Sequence, residues 1–343
     1  MPALQRVLFS VCAMGVAIVA APGPSLAQQS YPTKPIRFIV PFSPGGTSDV
    51  LTRMITQKMS ENWGQGVVIE NRTGAGGTIG TGLVAKANPD GYTLLVSSAA
   101  FAISAALHAN LPYDAIKDFA GVTRLGYSTT ALIAPASLGV KSVKELIALA
   151  QAKPIFYSHA GVGSSTFMNG ERFRLAAGIK VVPVGFKGAS DATLEVIAGR
   201  VQFAIVGLAS SLPFIQDGKL VAVAVGMPQR SPLLPDVPTI AETLPGYSRD
   251  GSHSLLAPRG TPLAIRQQLA KEVARIFELP DIKDRFKNFD FHPQPSTPEE
   301  HERIVRADIE TFSGVVKLAG LRPDSRGDAK GSTRQAAGKG GGI

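Results

Sequence analysis

Short β-branched runs alternate with amphipathic segments along most of the chain, and this rhythm limits the fold more than any other feature. Strand-like runs fall at Ile36–Pro41, Val67–Glu70, Thr93–Ser97, Thr130–Ala134, Ile155–Ser158, Val181–Val184, Val201–Val206, Val221–Val225 and Ser254–Ala257. Helix-like segments lie at Ser48–Asn62, Thr78–Ala87, Val143–Gln151, Thr166–Ala177, Ala189–Ala198, Leu263–Phe277 and Glu299–Lys317. In the first of these, Val50, Leu51, Met54, Ile55 and Met59 form one apolar stripe at helical spacing. Such alternation predicts an α/β fold of mostly parallel sheets flanked by helices. A chain of 343 residues has room for roughly two such units.

In open α/β sheets ligands bind where strands hand over to helices, so those junctions carry the functional signal. Three share one design: Pro41-Phe42-Ser43-Pro44-Gly45-Gly46-Thr47-Ser48-Asp49, Asn71-Arg72-Thr73-Gly74-Ala75-Gly76-Gly77-Thr78, and Ser158-His159-Ala160-Gly161-Val162-Gly163-Ser164-Ser165-Thr166. Glycine lets a ligand approach the backbone, and a helix N-terminus presents unpaired N–H groups with partial positive charge. The pattern suits a small anion. Each Ser or Thr taken alone is also an ordinary N-cap. Asp49 reads either as a first-turn acid favoured by the helix dipole or as an acceptor for a water or ligand hydroxyl.

The ends of the chain set its compartment. Arg6 precedes an apolar run, Val7 to Ala21, followed by Pro22-Gly23-Pro24 and the small-residue triplet Ser25-Leu26-Ala27. This is the layout of a cleavable secretory signal peptide over residues 1–27, and no Leu-Ala-Gly-like lipobox precedes Cys12. Cys12 is the only cysteine, so the mature chain has neither a disulfide scaffold nor a Cys-ligated zinc site. The net charge of +9 says little about partners. One positive charge leaves with the leader, and the Gly/Ser/Lys-rich segment 322–343, expected to be a flexible tail, carries five basic against two acidic residues. The remaining charge is not clustered or interleaved with aromatics, which argues against nucleic-acid binding.

Familiar catalytic patterns are missing. Gly80-Thr81-Gly82-Leu83-Val84-Ala85 fits a dinucleotide fingerprint only nominally, because it lies inside a helical segment. No phosphate loop, no Gly-x-Ser-x-Gly elbow and no His-Glu-x-x-His zinc motif occurs, and the five histidines are scattered. No cofactor is expected. Ser164 near His159 is the only local pair that a secreted hydrolase could use.

The string Ile39-Val40-Pro41-Phe42-Ser43-Pro44-Gly45-Gly46-Thr47-Ser48-Asp49 resembles the opening of the Bug family, the extracytoplasmic solute-binding proteins of tripartite tricarboxylate transporters. The resemblance continues through Glu70 to Gly77, Pro89-Asp90-Gly91-Tyr92-Thr93-Leu94-Leu95, Leu111-Pro112-Tyr113-Asp114, Ala160 to Ser165, Phe186-Lys187-Gly188 and Leu234-Pro235-Asp236-Val237-Pro238-Thr239, in the family's order. It implies a two-lobe, type II-like periplasmic-binding-protein fold. Lobe 1 would comprise 28–124 plus 253–321, and lobe 2 would comprise 125–252. It also implies a monomer in the periplasm that closes on a small carboxylate and hands it to integral membrane permease subunits. A sensor that reports to a membrane kinase would use the same cleft.

Carried onto this chain, the family's binding positions are Phe42, Ser43, Gly45, Gly46, Thr47 and Asp49, with Ser97 and Ser98 after the third strand-like run. Lobe 2 would add Gly163, Ser164, Ser165, Phe186 and Lys187, and Lys187 reads either as the cation that neutralises the carboxylate or as a solvated surface lysine. Two departures bear on the ligand. Phe186 stands where many members have Tyr, and Val206-Gly207 stands where many have Asp-Asn. Both losses remove polar groups, so the expected ligand has an apolar or aromatic far end, unlike citrate.

Overall fold

The computed structural model describes residues 31–247 and 251–321, so the expected signal peptide and tail lie outside the described residues. The chain begins with β1 (Ile36–Val40), α1 (Thr47–Trp63), β2 (Val67–Asn71), α2 (Thr78–Ala85), β3 (Thr93–Ser98), α3 (Ala100–Leu107) and β4 (Phe119–Ser128). A second unit follows: β5 (Thr130–Pro135), α4 (Val143–Ala152), β6 (Ile155–His159), α5 (Ser165–Ala177), β7 (Val181–Gly185), α6 (Ala189–Ile197), β8 (Phe203–Gly207), α7 (Leu208–Gln216) and β9 (Leu220–Val225). The chain then returns to the first unit with β10 (Ser252–Pro258), α8 (Leu263–Phe277), α9 (Pro280–Phe289), β11 (Phe291–Pro293) and α10 (Pro298–Leu318).

Two sheets result, with strand orders β11-β4-β10-β3-β1-β2 and β7-β6-β8-β5-β9. They are mixed rather than mostly parallel. The first pairs β1 with β2 and β3 in parallel but carries β10 antiparallel between β3 and β4. The second pairs β6 with β7 and β8 in parallel but carries β5 antiparallel between β8 and β9. The cause is connectivity. In each unit the parallel strands end facing the other unit, so a strand arriving from that unit starts at the shared edge and runs the opposite way. β5 arrives from the first unit and β10 from the second. Because β4 pairs within the first sheet as far as Ser128, the chain crosses at Thr129, not between residues 124 and 125.

Each unit has its own core. In lobe 1, Leu51, Met54, Ile55 and Met59 of α1 bury their stripe with Val273, Ile276 and Phe277 of α8 against Ile36, Phe38, Val40, Leu94 and Leu255. In lobe 2, Leu132, Tyr157, Phe203, Ile205 and Val223 from the sheet pack with Leu146 of α4 and Phe173 of α5. Each such side chain contributes roughly 1.5–3 kcal/mol of burial, so both lobes are separately cored. The strand-to-helix turns are therefore held on rigid supports.

Candidate functional site

A cavity of about 60 Å³ lies between the two lobes, at the ends of the strands that face each other. Lobe 1 supplies Phe42, Ser43, Gly46, Thr47, Ser48 and Asp49 from the β1–α1 junction, Ser98 from the end of β3, Ser128 from the end of β4, and Gly251 and His253 at the start of β10. Lobe 2 supplies Thr130, Ala160, Ser164, Ser165, Thr166, Asn169, Ala189, Ile205, Val206 and Gly207. Most of the lining residues come from strand ends, the junction loops after them or first helical turns, while Ile205 lies mid-strand in β8 and Asn169 stands one turn into α5.

The β1–α1 junction is built to leave its amides open. The N-cap of α1 is Gly46, and no side chain caps the helix. The first-turn N–H groups that precede the intrahelical ladder therefore keep their donor capacity and the helix-terminal partial charge. Asp49, which could have capped them, turns into the loop. Its carboxylate accepts from Gly45 N at 3.0 Å, Asn71 Nδ2 at 3.1 Å, Arg53 Nε at 2.9 Å and Arg53 Nη2 at 3.1 Å. Burial opposes the charge on Asp49, but the hydrogen bonds from Arg53, Gly45 and Asn71 outweigh it and hold the carboxyl below its ordinary value. Asn71 also donates to Phe42 O at 2.9 Å, so one cluster fixes both ends of the turn.

The β6–α5 junction has similar residues and the opposite outcome. Ser164 Oγ accepts from Phe167 N at 3.1 Å and so caps α5. Thr166 Oγ1 accepts from Ala160 N at 2.8 Å and lies 3.0 Å from Ser164 Oγ. Here the loop takes up several of its own donors. His159 Nδ1 accepts from Gly161 N at 3.1 Å, and burial pulls its pKa down to about 4. The Ser164–His159 pair considered for a hydrolase is thus replaced by bonds to other partners.

The lobes touch along the rim of the cavity. Ser43 Oγ donates to Asp191 Oδ2 at 2.7 Å, Ser190 Oγ donates to Pro44 O at 2.9 Å, and Ser104 Oγ donates to Gly163 O at 3.3 Å. Glycine makes this approach feasible. A Cβ at Gly207 would collide with Thr47 Oγ1, and one at Gly76 would collide with the carbonyl oxygen of Val162. The second Gly-rich junction therefore forms part of the seam.

Of the residues expected at the site, Phe42, Ser43, Gly46, Thr47, Asp49, Ser98, Ser164 and Ser165 line the cavity. Gly45, Ser97, Gly163, Phe186 and Lys187 do not. Gly45 is spent on Asp49. Ser97 pairs with Ser254 within the sheet, and Gly163 abuts α3. Lys187 is exposed on the β7–α6 turn, so the candidate cation for neutralising the ligand stands outside the cavity. No Lys or Arg is among the lining residues. Sequence reading missed Ser48, Ser128, Thr130, Asn169 and His253. Asn169 was accessible from helical spacing, since it follows Ser165 and Thr166 by four and three residues on one face. Ser48 sits in the first turn of α1 between two expected positions, and Ser128, Thr130 and His253 arrive on the crossing strands, whose pairing no local pattern reveals.

Among the described residues no group of His, Cys, Asp or Glu is placed to hold a metal ion, and no helix is long and apolar enough to cross a membrane. The sequence profile of the tripartite tricarboxylate transporter family receptor (TctC) matches residues 51–321. Protein BugT of Bordetella pertussis (strain Tohama I) is 32% identical over 309 residues, covering 89% of this chain and 94% of BugT. The solved structure of R. palustris Rpa4515 with adipate is 32% identical with a TM-score of 0.83, covering 86% of this chain and all of that one. MatC from Rhodopseudomonas palustris, solved with bound malate, is 30% identical with a TM-score of 0.78, covering 83% of this chain and 100% of MatC. With two lobes around a cleft and a profile match over most of its length, the chain belongs to the tripartite tricarboxylate transporter receptor family and is a solute-binding protein, not an enzyme.

Proposed function

We propose that the chain captures a small carboxylate whose far end is apolar, holds it by lobe closure, and delivers it to the membrane permease of a tripartite tricarboxylate transporter. One observation carries this reading: the uncapped N-terminus of α1 opens into a cavity whose lobe 2 wall includes Ala160, Ala189, Ile205 and Val206. The carboxylate sits at the first-turn amides of α1 with hydroxyl donors around it, and its charge is met by backbone dipoles instead of a lysine. The apolar wall takes the alkyl or aryl remainder. Val206-Gly207 supports this, because an Asp-Asn pair at these two positions would bring polar groups to the wall that Val206 and Gly207 now form.

The rim contacts of Ser43 with Asp191 and Ser190 with Pro44 join residues of different lobes, so they form only when the lobes meet. They support hinge closure as the capture step. Binding by a monomer in the periplasm follows from the same reading, with the leader at 1–27 directing export.

The test is calorimetry with hexanoate, benzoate, adipate and citrate, together with thermal unfolding. Hexanoate and benzoate should bind more tightly than citrate, and ligand at 100 times Kd should raise stability by about 2.7 kcal/mol. Tighter binding of citrate would overturn the apolar far end. Absence of binding by all four would overturn the carboxylate reading.

A further inference from the structure

His253 stands at the point where the two crossing strands meet the site. It is the second residue of β10, it is 3% exposed, and it lines the cavity with Ser48 and Ser128. Its Nδ1 lies 3.2 Å from Ser48 Oγ, in the first turn of α1, and its Nε2 lies 3.0 Å from Ser128 Oγ, at the end of β4. Burial pulls its pKa down to about 3, so the ring is neutral and has one N–H and one lone pair. A neutral ring between two hydroxyls passes the direction of hydrogen bonding from one to the other. Two arrangements satisfy all three groups.

In the first, Ser48 donates to Nδ1 and Nε2–H donates to Ser128. In the second, Ser128 donates to Nε2 and Nδ1–H donates to Ser48. Only the second leaves the Ser48 hydrogen available to the cavity. Gly251 O, which accepts from Ser128 N at 2.9 Å and has a second lone pair 3.2 Å from Ser128 Oγ, takes the Ser128 hydrogen in the first arrangement and gives it up to Nε2 in the second. A carboxylate only accepts hydrogen bonds, so a carboxylate at the start of α1 selects the second arrangement. Donors then line up from Ser128 through His253 and Ser48 to the ligand, and aligned hydrogen bonds strengthen one another.

We propose that His253 is a positioning residue, the middle of a Ser128–His253–Ser48 relay that aims the Ser48 hydroxyl at the ligand carboxylate. The relay rests on the carboxylate reading above and adds to it a defined tautomer. Because the ring bridges both crossing strands and α1, it also ties the ligand to the segment about which the lobes move.

The test uses protein labelled with ¹⁵N at histidine, with the His253 signals assigned from their loss in His253→Gln. With saturating hexanoate, the nitrogen shifts should place the His253 proton on Nδ1. A proton on Nε2 in the complex overturns the relay while leaving carboxylate binding intact. Affinities give a second readout. Ser128→Ala and His253→Phe should each weaken hexanoate about tenfold, whereas His253→Asn, whose amide can donate to Ser48 from the Nδ1 position, should stay within about threefold. Equal affinities for the Asn and Phe variants, both folded by thermal unfolding, overturn the role. If hexanoate, benzoate, adipate and citrate all fail to bind the natural protein, the carboxylate reading falls and the relay falls with it.

Discussion

The β1–α1 and β6–α5 junctions read alike as sequence and differ in what they leave unused. Both run from a strand through glycines into hydroxyl residues and a helix. At the first, Gly46 occupies the N-cap and the junction's own carboxylate, Asp49, is drawn away by Arg53, Asn71 and Gly45. At the second, Ser164 and Thr166 accept the amides that the turn exposes. One side chain decides the difference. A Ser cap takes up one of the first-turn donors of its helix, whereas a Gly cap leaves them all for a ligand. The Asn71–Thr78 junction takes a third role and forms the seam against Val162.

The largest expected effect comes from giving the first junction a cap of its own. The backbone of Gly46 has φ −72° and ψ 162°, which an L-residue adopts without strain. Gly46→Asp should place a carboxylate where the ligand's would sit, and like-charge repulsion should weaken hexanoate by about 100-fold or more while the folded protein stays at least as stable. Calorimetry and a melting curve on the same sample check both halves. Next is Gly207→Val, whose side chain would press on Thr47 and hold the lobes apart. Hexanoate affinity should fall about tenfold with little change in unliganded melting, and preserved affinity would show that the lobes need not meet there.

Asp49→Asn probes what keeps the first turn open. It should cost about 1 to 2 kcal/mol at neutral pH, since charged acceptors make the stronger bonds. The folded-state pKa of Asp49 is depressed, so its contribution is complete above the ordinary carboxyl value of 3.8 and is lost as pH falls through the folded value. The gap between natural and variant proteins should accordingly close in acid, and urea titrations at several pH values would show it. Ser164→Ala should lower stability by about 1 kcal/mol through the lost cap yet change hexanoate affinity less than threefold. The smallest effect belongs to Lys187→Ala. An exposed lysine outside the cavity should alter affinity less than about twofold, and a large loss would return the cation to the site.

The legible parts of this molecule were the periodic ones. The stripe of Leu51, Met54, Ile55 and Met59 announced α1, and Leu263–Phe277 matched α8 at both ends. The β4 strand was not legible, because Gly121, Thr123, Arg124 and Gly126 interrupt its apolar pattern and its pairing with β10 is long-range. The α3 helix, Ala-Phe-Ala-Ile-Ser-Ala-Ala-Leu, has no polar face, so it carries no amphipathic signal. Pro213 hid α7 in the same way. At the site, strand-to-helix turns could be read locally, and they supplied Ser43, Gly46 and Thr47. His253 and Ser128 could not, because they meet only after two strands have crossed between lobes. Nor could sequence separate the open cap of Gly46 from the filled cap of Ser164, since which residue of each loop becomes the N-cap, and where Asp49 points, is set by the fold.

A crystal structure with hexanoate tests the central claim most directly. The carboxylate oxygens should lie about 2.7–3.1 Å from the first-turn amides of α1, with the alkyl chain against Ile205 and Val206. A carboxylate seated instead at the start of α5, or beside Lys187, would contradict it.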